Sequence, residues 1–128
     1  MKKLILLTSV FILFACSGSD DDNSENQVSI NEDLVGAWMA TIIDSDPGDT
    51  STAEQTLTFN SNGTCTVSNV WDDGEIYNSS GTWSSTSTII TIQWEDDLPE
   101  SADYELSNNN NTCVIIRSDG VSIIYSRL

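Results

Sequence analysis

Three cysteines, twenty carboxylates and no histidine define the chemistry open to this 128-residue chain. Without histidine there is no Ser-His or Cys-His nucleophile and no imidazole-ligated metal. Carboxylates alone can hydrolyse glycosides when two lie about 5 to 9 Å apart and one has a raised pKa. Glu95 with Glu100 and Asp72 with Glu75 are pairs of that kind, but they sit in polar acidic stretches that offer no apolar pocket. Calcium is a better use of the acids. Asp44, Asp46, Asp49 and Glu54 set hard oxygen donors around Gly48, in the manner of a calcium loop. The run departs from the EF-hand pattern: Gly48 and Glu54 each come one place early, Pro47 stiffens the centre, and no helix is indicated on either side. A solvated loop is the first reading, so no cofactor is expected, and calcium is the one exception this loop would permit.

The chemistry at Cys16 is of another kind. Lys2 and Lys3, the run Leu4 to Phe14, then Ala15 before Cys16 form the charged start, hydrophobic core and small pre-cleavage residue of a bacterial secretory signal. As a helix the run would rise only about 16 Å, too short for a hydrocarbon core of about 30 Å. Leu13-Phe14-Ala15-Cys16 resembles a lipobox, with Phe14 where a small residue is usual. That resemblance implies cleavage after residue 15 and a lipid on Cys16. Ser17 to Gln27 is polar, acidic and without apolar side chains, so it cannot fold alone and serves as a tether. Ser19-Asp20-Asp21-Asp22 is similar to the acidic export signal of surface-exposed lipoproteins in one group of Gram-negative bacteria. An outer-membrane lipoprotein displayed at the cell surface is expected, with an inward-facing one as the alternative.

From Cys16 onward, Arg117 and Arg127 stand against all twenty carboxylates, a net charge of −18. Such a surface repels nucleic acid and anionic headgroups. No nucleic-acid partner is expected, and the membrane is reached through the lipid on Cys16 alone.

The elements that must position these groups are strands. Residues 33–128 suffice for one core, after the leader 1–15 and a lipidated tether 16–32. Short apolar and β-branched stretches are punctuated by Asn, Ser, Gly and Asp clusters, with little helical periodicity. Asn31 caps a helical turn before a strand in which Trp38, Ala40 and Ile42 share a face. Gln55 to Asn60 and Thr64 to Val70 form the clearest hairpin, with Leu57, Phe59, Cys65 and Val67 inward. Ile76 to Ser84 and Ser87 to Trp94 form another pair. Asp103 to Ser107, Thr112 to Ser118 and Val121 to Leu128 complete eight strands. A meander of that length hides its edges by closing, so an all-β, eight-stranded antiparallel up-and-down barrel, round or flattened, is predicted.

Gly36-Ala37-Trp38 on the first strand resembles the Gly-x-Trp signature of lipocalins, and Tyr125-Ser126-Arg127 places an arginine on the last. Gly63-Thr64-Cys65-Thr66-Val67 after Phe59, and Gly81-Thr82-Trp83, are similar to patterns of small lipocalin-like lipoprotein domains. The resemblance covers residues 33 to 128. It implies a lipocalin-like barrel whose structural signature is Gly36, Trp38 and Arg127, the guanidinium packing over the indole at the barrel base. Arg117 is the alternative partner for Trp38. The chain is shorter than a typical lipocalin and lacks a helix after the barrel, which argues against a deep calyx.

Cys65 and Cys113 open the third and seventh strands, at the same end of a meander. A disulfide between them would be worth roughly 4 kcal/mol, but strands four apart face each other across a barrel and a bridge needs Cα atoms within about 7 Å. Two buried free thiols are the other reading. Among the aromatics, Trp71, Trp83 and Trp94 are the candidates for contact with a ligand or partner, Trp71 foremost because it borders Asp72-Asp73-Gly74. The expected function is that of a non-catalytic binding or accessory module that meets another envelope protein. The alternative is a carrier of a small apolar ligand or glycan in the barrel mouth, and a carboxylate-based hydrolase is more remote.

Overall fold

The computed structural model describes residues 28–44, 46–48 and 50–128. Cys16, the leader and the acidic stretch to Gln27 lie outside them. A 3-10 turn, Glu32–Leu34, leads into β1 (Gly36–Ile43), β2 (Thr52–Phe59), β3 (Thr64–Trp71), β4 (Ile76–Ser85), β5 (Ile89–Trp94), β6 (Glu100–Ser107), β7 (Thr112–Ile116) and β8 (Ser122–Arg127). Each strand pairs antiparallel with the next and β8 returns to β1, so the expected eight-stranded up-and-down barrel closes. Three boundaries differ usefully from the sequence reading. β2 begins at Thr52, bringing Ala53 into the interior; β6 begins at Glu100; and contacts with the barrel already start at Ser29, whose carbonyl accepts the Ser85 N–H at 2.8 Å.

Local chemistry dictates the hairpins. At Asn62-Gly63-Thr64, Asp73-Gly74-Glu75 and Asp119-Gly120-Val121 the same device recurs: the acid or amide oxygen accepts the backbone N–H two residues on, at 2.9 to 3.0 Å. The glycine between takes φ of +84°, +96° and +89°, where a side chain would be strained. Between β6 and β7 no glycine is present, and Asn108, Asn109 and Asn110 occupy the left-handed region in succession at φ of 56°, 54° and 62°. Asparagine is among the few residues with a side chain that visit it routinely.

Alternation along the strands separates core from surface. The interior of the lower half, where β1 begins, is filled. Leu34, Trp38, Phe59, Cys65, Trp83, Ile90, Tyr104 and Cys113 are all buried there. Phe59 and Trp83 lie tilted with ring centroids 4.8 Å apart. Each buried indole finds an acceptor, Trp38 Nε1 donating to the Leu34 carbonyl at 2.8 Å and Trp83 Nε1 to that of Asn60 at 2.9 Å. The 3-10 turn plugs this end. Asn31 caps it by accepting from the Asp33 N–H, and the Asn31 amide donates to the Tyr104 hydroxyl at 2.8 Å.

Closure rests on Arg127. Its guanidinium lies 4.2 Å over the Trp38 ring and donates to the carbonyls of Asn110, Val35 and Asp33 at 2.9, 2.9 and 2.6 Å. Arg117 takes no part in this closure. It sits at the opposite end of the barrel, half exposed, 3.2 Å from Asp119.

The upper half is looser. β1 meets β8 only through Trp38–Arg127 and Met39–Ser126, so Ala40 to Ile43 lack a strand partner on that side. β4 pairs with β5 only from Gly81 to Ser85, beyond which Glu95 N–H reaches the Ser80 carbonyl at 2.9 Å. The barrel is therefore closed at its base, with the β1–β8 seam confined to that end.

Candidate functional site

In the upper half of the barrel lies an open cavity of about 380 Å³. Register explains its lining. The inward residues of β5 are Ile90, Ile92 and Trp94; those of β6 are Glu100, Ala102 and Tyr104, since Ile90 pairs with Ala102 and Ile92 with Glu100. β7 and β8 add Ile115, Ile123 and Tyr125, and β2 adds Leu57 and Gln55. The lining is as polar as it is apolar: Leu57, Ile92, Ile115 and Ile123 are joined by Gln55, Ser101, Ser118 and Tyr125, and the charged residues are Glu100 and Arg117.

A polar chain crosses the interior. The buried Tyr125 hydroxyl donates to Gln55 Oε1, and Gln55 Nε2 donates to Asn69 Oδ1 at 2.9 Å. The Tyr125 pKa is raised, chiefly by burial, with the neighbouring Cys113 adding and Arg117 opposing. The phenol therefore stays protonated and acts as a donor. Sequence reasoning gave Gln55 no role, read Glu100 only as one of an acid pair and Arg117 only as an alternative partner for Trp38. Gln55 was detectable, because it is a polar residue on the same parity as Leu57 and Phe59.

The three candidate tryptophans part company. Trp94 is half-buried and lines the cavity. Trp71 is half-buried at the top of β3 and borders a shallow recess with Ile76 and Tyr77. Trp83 is 2% exposed, packed against Phe59 in the filled base; the contact role expected of it is corrected to a core role. Ile92 and Tyr125 line the cavity as a hollow barrel would require, whereas Trp38 and Phe59 belong to the solid floor beneath.

Cys65 and Cys113 are buried free thiols, so the disulfide considered for them is not formed. They belong to β3 and β7, which lie on opposite sides of the closed barrel. Burial pushes both thiols up to about 11, Arg127 pulling Cys113 slightly back. Below the unfolded thiol pKa of 9.0 the groups are protonated in both states. Above it the unfolded chain loses protons that the folded chain keeps, and stability falls with rising pH until the folded values near 11 are passed. Urea titrations should therefore give a midpoint that is flat from pH 7 to about pH 9 and declines above it. Thiol-modifying reagents at pH 8 should label neither cysteine before unfolding. Rapid labelling of Cys65 or Cys113 in the native protein, read in a Cys16→Ser background, would contradict this placement.

The calcium loop is not assembled by the described residues. Asp44 Oδ1 accepts the Asp46 N–H at 2.9 Å, and Glu54 is on the outer face of β2, opposite Thr41 and Val70. Asp49 lies outside the described residues. Among the described residues no group of three or more acids or cysteines is gathered as metal ligands. The acid pairs are spent similarly: Glu95 accepts from the Ser80 hydroxyl and Asp72 from the Thr52 N–H, both at 3.2 Å.

No family model matches the sequence, and no curated protein matches it. A solved structure does: a lipocalin-like protein from Bacteroides uniformis ATCC 8492 aligns with a TM-score of 0.53 at 16% identity, over 75% of this chain and 99% of that one. At that identity the likeness concerns the fold, and the barrel is lipocalin-like in architecture.

Proposed function

We propose that this barrel is a non-catalytic binding module that holds one small, largely apolar molecule in its upper half. The observation that carries the reading is the open cavity of about 380 Å³, within the roughly 300 to 1,000 Å³ usual for small-molecule sites. Its wall of Leu57, Ile92, Ile115 and Ile123 rewards burial of an apolar surface. Tyr125 and Gln55, hydrogen-bonded to each other in that wall, supply polar groups to orient a ligand. The lipocalin-like fold of the Bacteroides protein agrees with this reading, although fold alone does not decide function. Cys16, bearing a lipid, would tether the module to the outer membrane, and the acidic stretch after it favours display at the cell surface.

The test uses a neutral apolar fluorophore, N-phenyl-1-naphthylamine. One molecule per chain should bind with a Kd in the micromolar range, worth roughly 8 kcal/mol. Ala102→Phe, which fills the cavity from β6, should abolish the signal while leaving the unfolding midpoint near wild type. Absence of one-to-one binding by the parent protein would overturn the reading. A second reading has its own support in the exposed Val70, Ile76 and Tyr77 around Trp71. That upper edge of β3 and β4 is the surface by which an accessory protein would meet an envelope partner or glycan.

A further inference from the structure

We infer that the molecule held in this cavity carries a positively charged head on its apolar body. The inference rests on the ligand-holding reading above and concerns the rim. Glu100 is exposed at the mouth, and its carboxylate has neither a hydrogen bond nor an ion pair among the described residues. The other charged rim residue, Arg117, is already paired with Asp119 at 3.2 Å. The remaining cation of the described residues, Arg127, is consumed at the opposite end of the barrel.

Trp94 completes the arrangement. Glu100 pairs in register with Ile92, and Trp94 lies two positions further up β5 on the same inward face. A carboxylate and an indole therefore share one lip of the pocket. These two groups attract an ammonium by different means, the first through its charge and the second through the negative face of its ring. The field of the whole chain acts in the same direction, since a net charge of −16 draws cations and repels anions. An anionic head would have to enter against that field, whereas a cationic head moves with it toward the unpaired carboxylate of Glu100.

Calorimetric titration of the full chain carrying Cys16→Ser, which keeps acyl groups of its own out of the pocket, separates the alternatives. The probes share one decyl tail and stay below their micelle concentrations: decyltrimethylammonium, decanoate and decanol. The ammonium should bind at least about 10-fold more tightly than decanoate in low salt, and the preference should shrink as salt rises. Glu100→Gln should weaken the ammonium about 5-fold or more and leave decanol unchanged. Decanoate binding as tightly as the ammonium, or an unaltered ammonium affinity in Glu100→Gln, would overturn the inference while leaving the ligand-holding reading intact. Binding by none of the three probes would overturn both.

Discussion

Trp38→Ala is expected to cost about 3 to 5 kcal/mol of folding stability, the range for deleting a large buried aromatic. For a domain of this size each kcal/mol lowers the melting temperature by about 4 to 8 °C. The indole is 1% exposed, so its whole apolar area is lost from the core and a cavity takes its place. Two further losses follow. The Leu34 carbonyl gives up the Nε1 donor at 2.8 Å, and Arg127 loses the ring 4.2 Å beneath it. Trp38→Phe separates these contributions, because it keeps an aromatic face but removes the donor; a smaller cost of about 1 to 3 kcal/mol is expected for the unsatisfied carbonyl. Guanidinium unfolding measures both. A Trp38→Ala midpoint close to wild type would show that the indole does not hold the base of the barrel.

Gly81→Ala is the second large effect, and its cause is contact rather than conformation. A Cβ at Gly81 would lie 2.2 Å from the Gln93 carbonyl oxygen and 3.0 Å from both the Gln93 carbonyl carbon and the Trp94 Cα. All three are backbone atoms, so no side-chain rotation relieves the overlap and β4 must move away from β5. Gly81 sits opposite Trp94, at the upper limit of that strand pairing. The substitution would therefore push β4 and β5 apart and displace a wall of the cavity. A loss of about 3 kcal/mol is expected, at the upper end for overpacking. Gly74→Ala is the comparison: open space surrounds Gly74, but its φ is +96°, and left-handed strain alone costs about 1 to 2 kcal/mol. Denaturation midpoints should rank Gly81→Ala well below Gly74→Ala. The reverse order would remove the steric account.

Much of the fold was legible because alternation identifies a face. Leu57 with Phe59, Cys65 with Val67, and Ile90 with Ile92 all point inward as their parity requires. The Asx-Gly turns were equally plain, since their φ demands are local. Parity does not report height along the barrel axis, and that is why the tryptophans were read alike. Trp71, Trp83 and Trp94 all face inward, yet one is sealed at the base, one lines the cavity and one edges the mouth.

The rim was hidden for a related reason. Glu100-Ser101-Ala102 carries too little apolar character to announce the start of β6, so Glu100 was read as a loop acid. The calcium reading shows another side of the same difficulty. Spacing counts donor atoms but does not reveal that Glu54 stands on the outer face of β2, opposite Thr41 and Val70.

The closure at Arg127 also has a consequence in time. Its hydrogen bonds to Val35 and Asp33 join residues 92 and 94 positions apart. Most other pairings in the meander are between neighbouring strands, whose loops close early and at small entropic cost. The ring is completed by the contact of greatest sequence separation, so nearly the whole domain must be threaded before Trp38 gains its cover. Topologies that depend on such distant contacts fold on millisecond to second scales rather than in microseconds. Until that step the free edges of β1 and β8 and an uncovered indole stay available to other chains, and the same residue that gives the finished barrel its floor governs how long the unfinished one is vulnerable to aggregation.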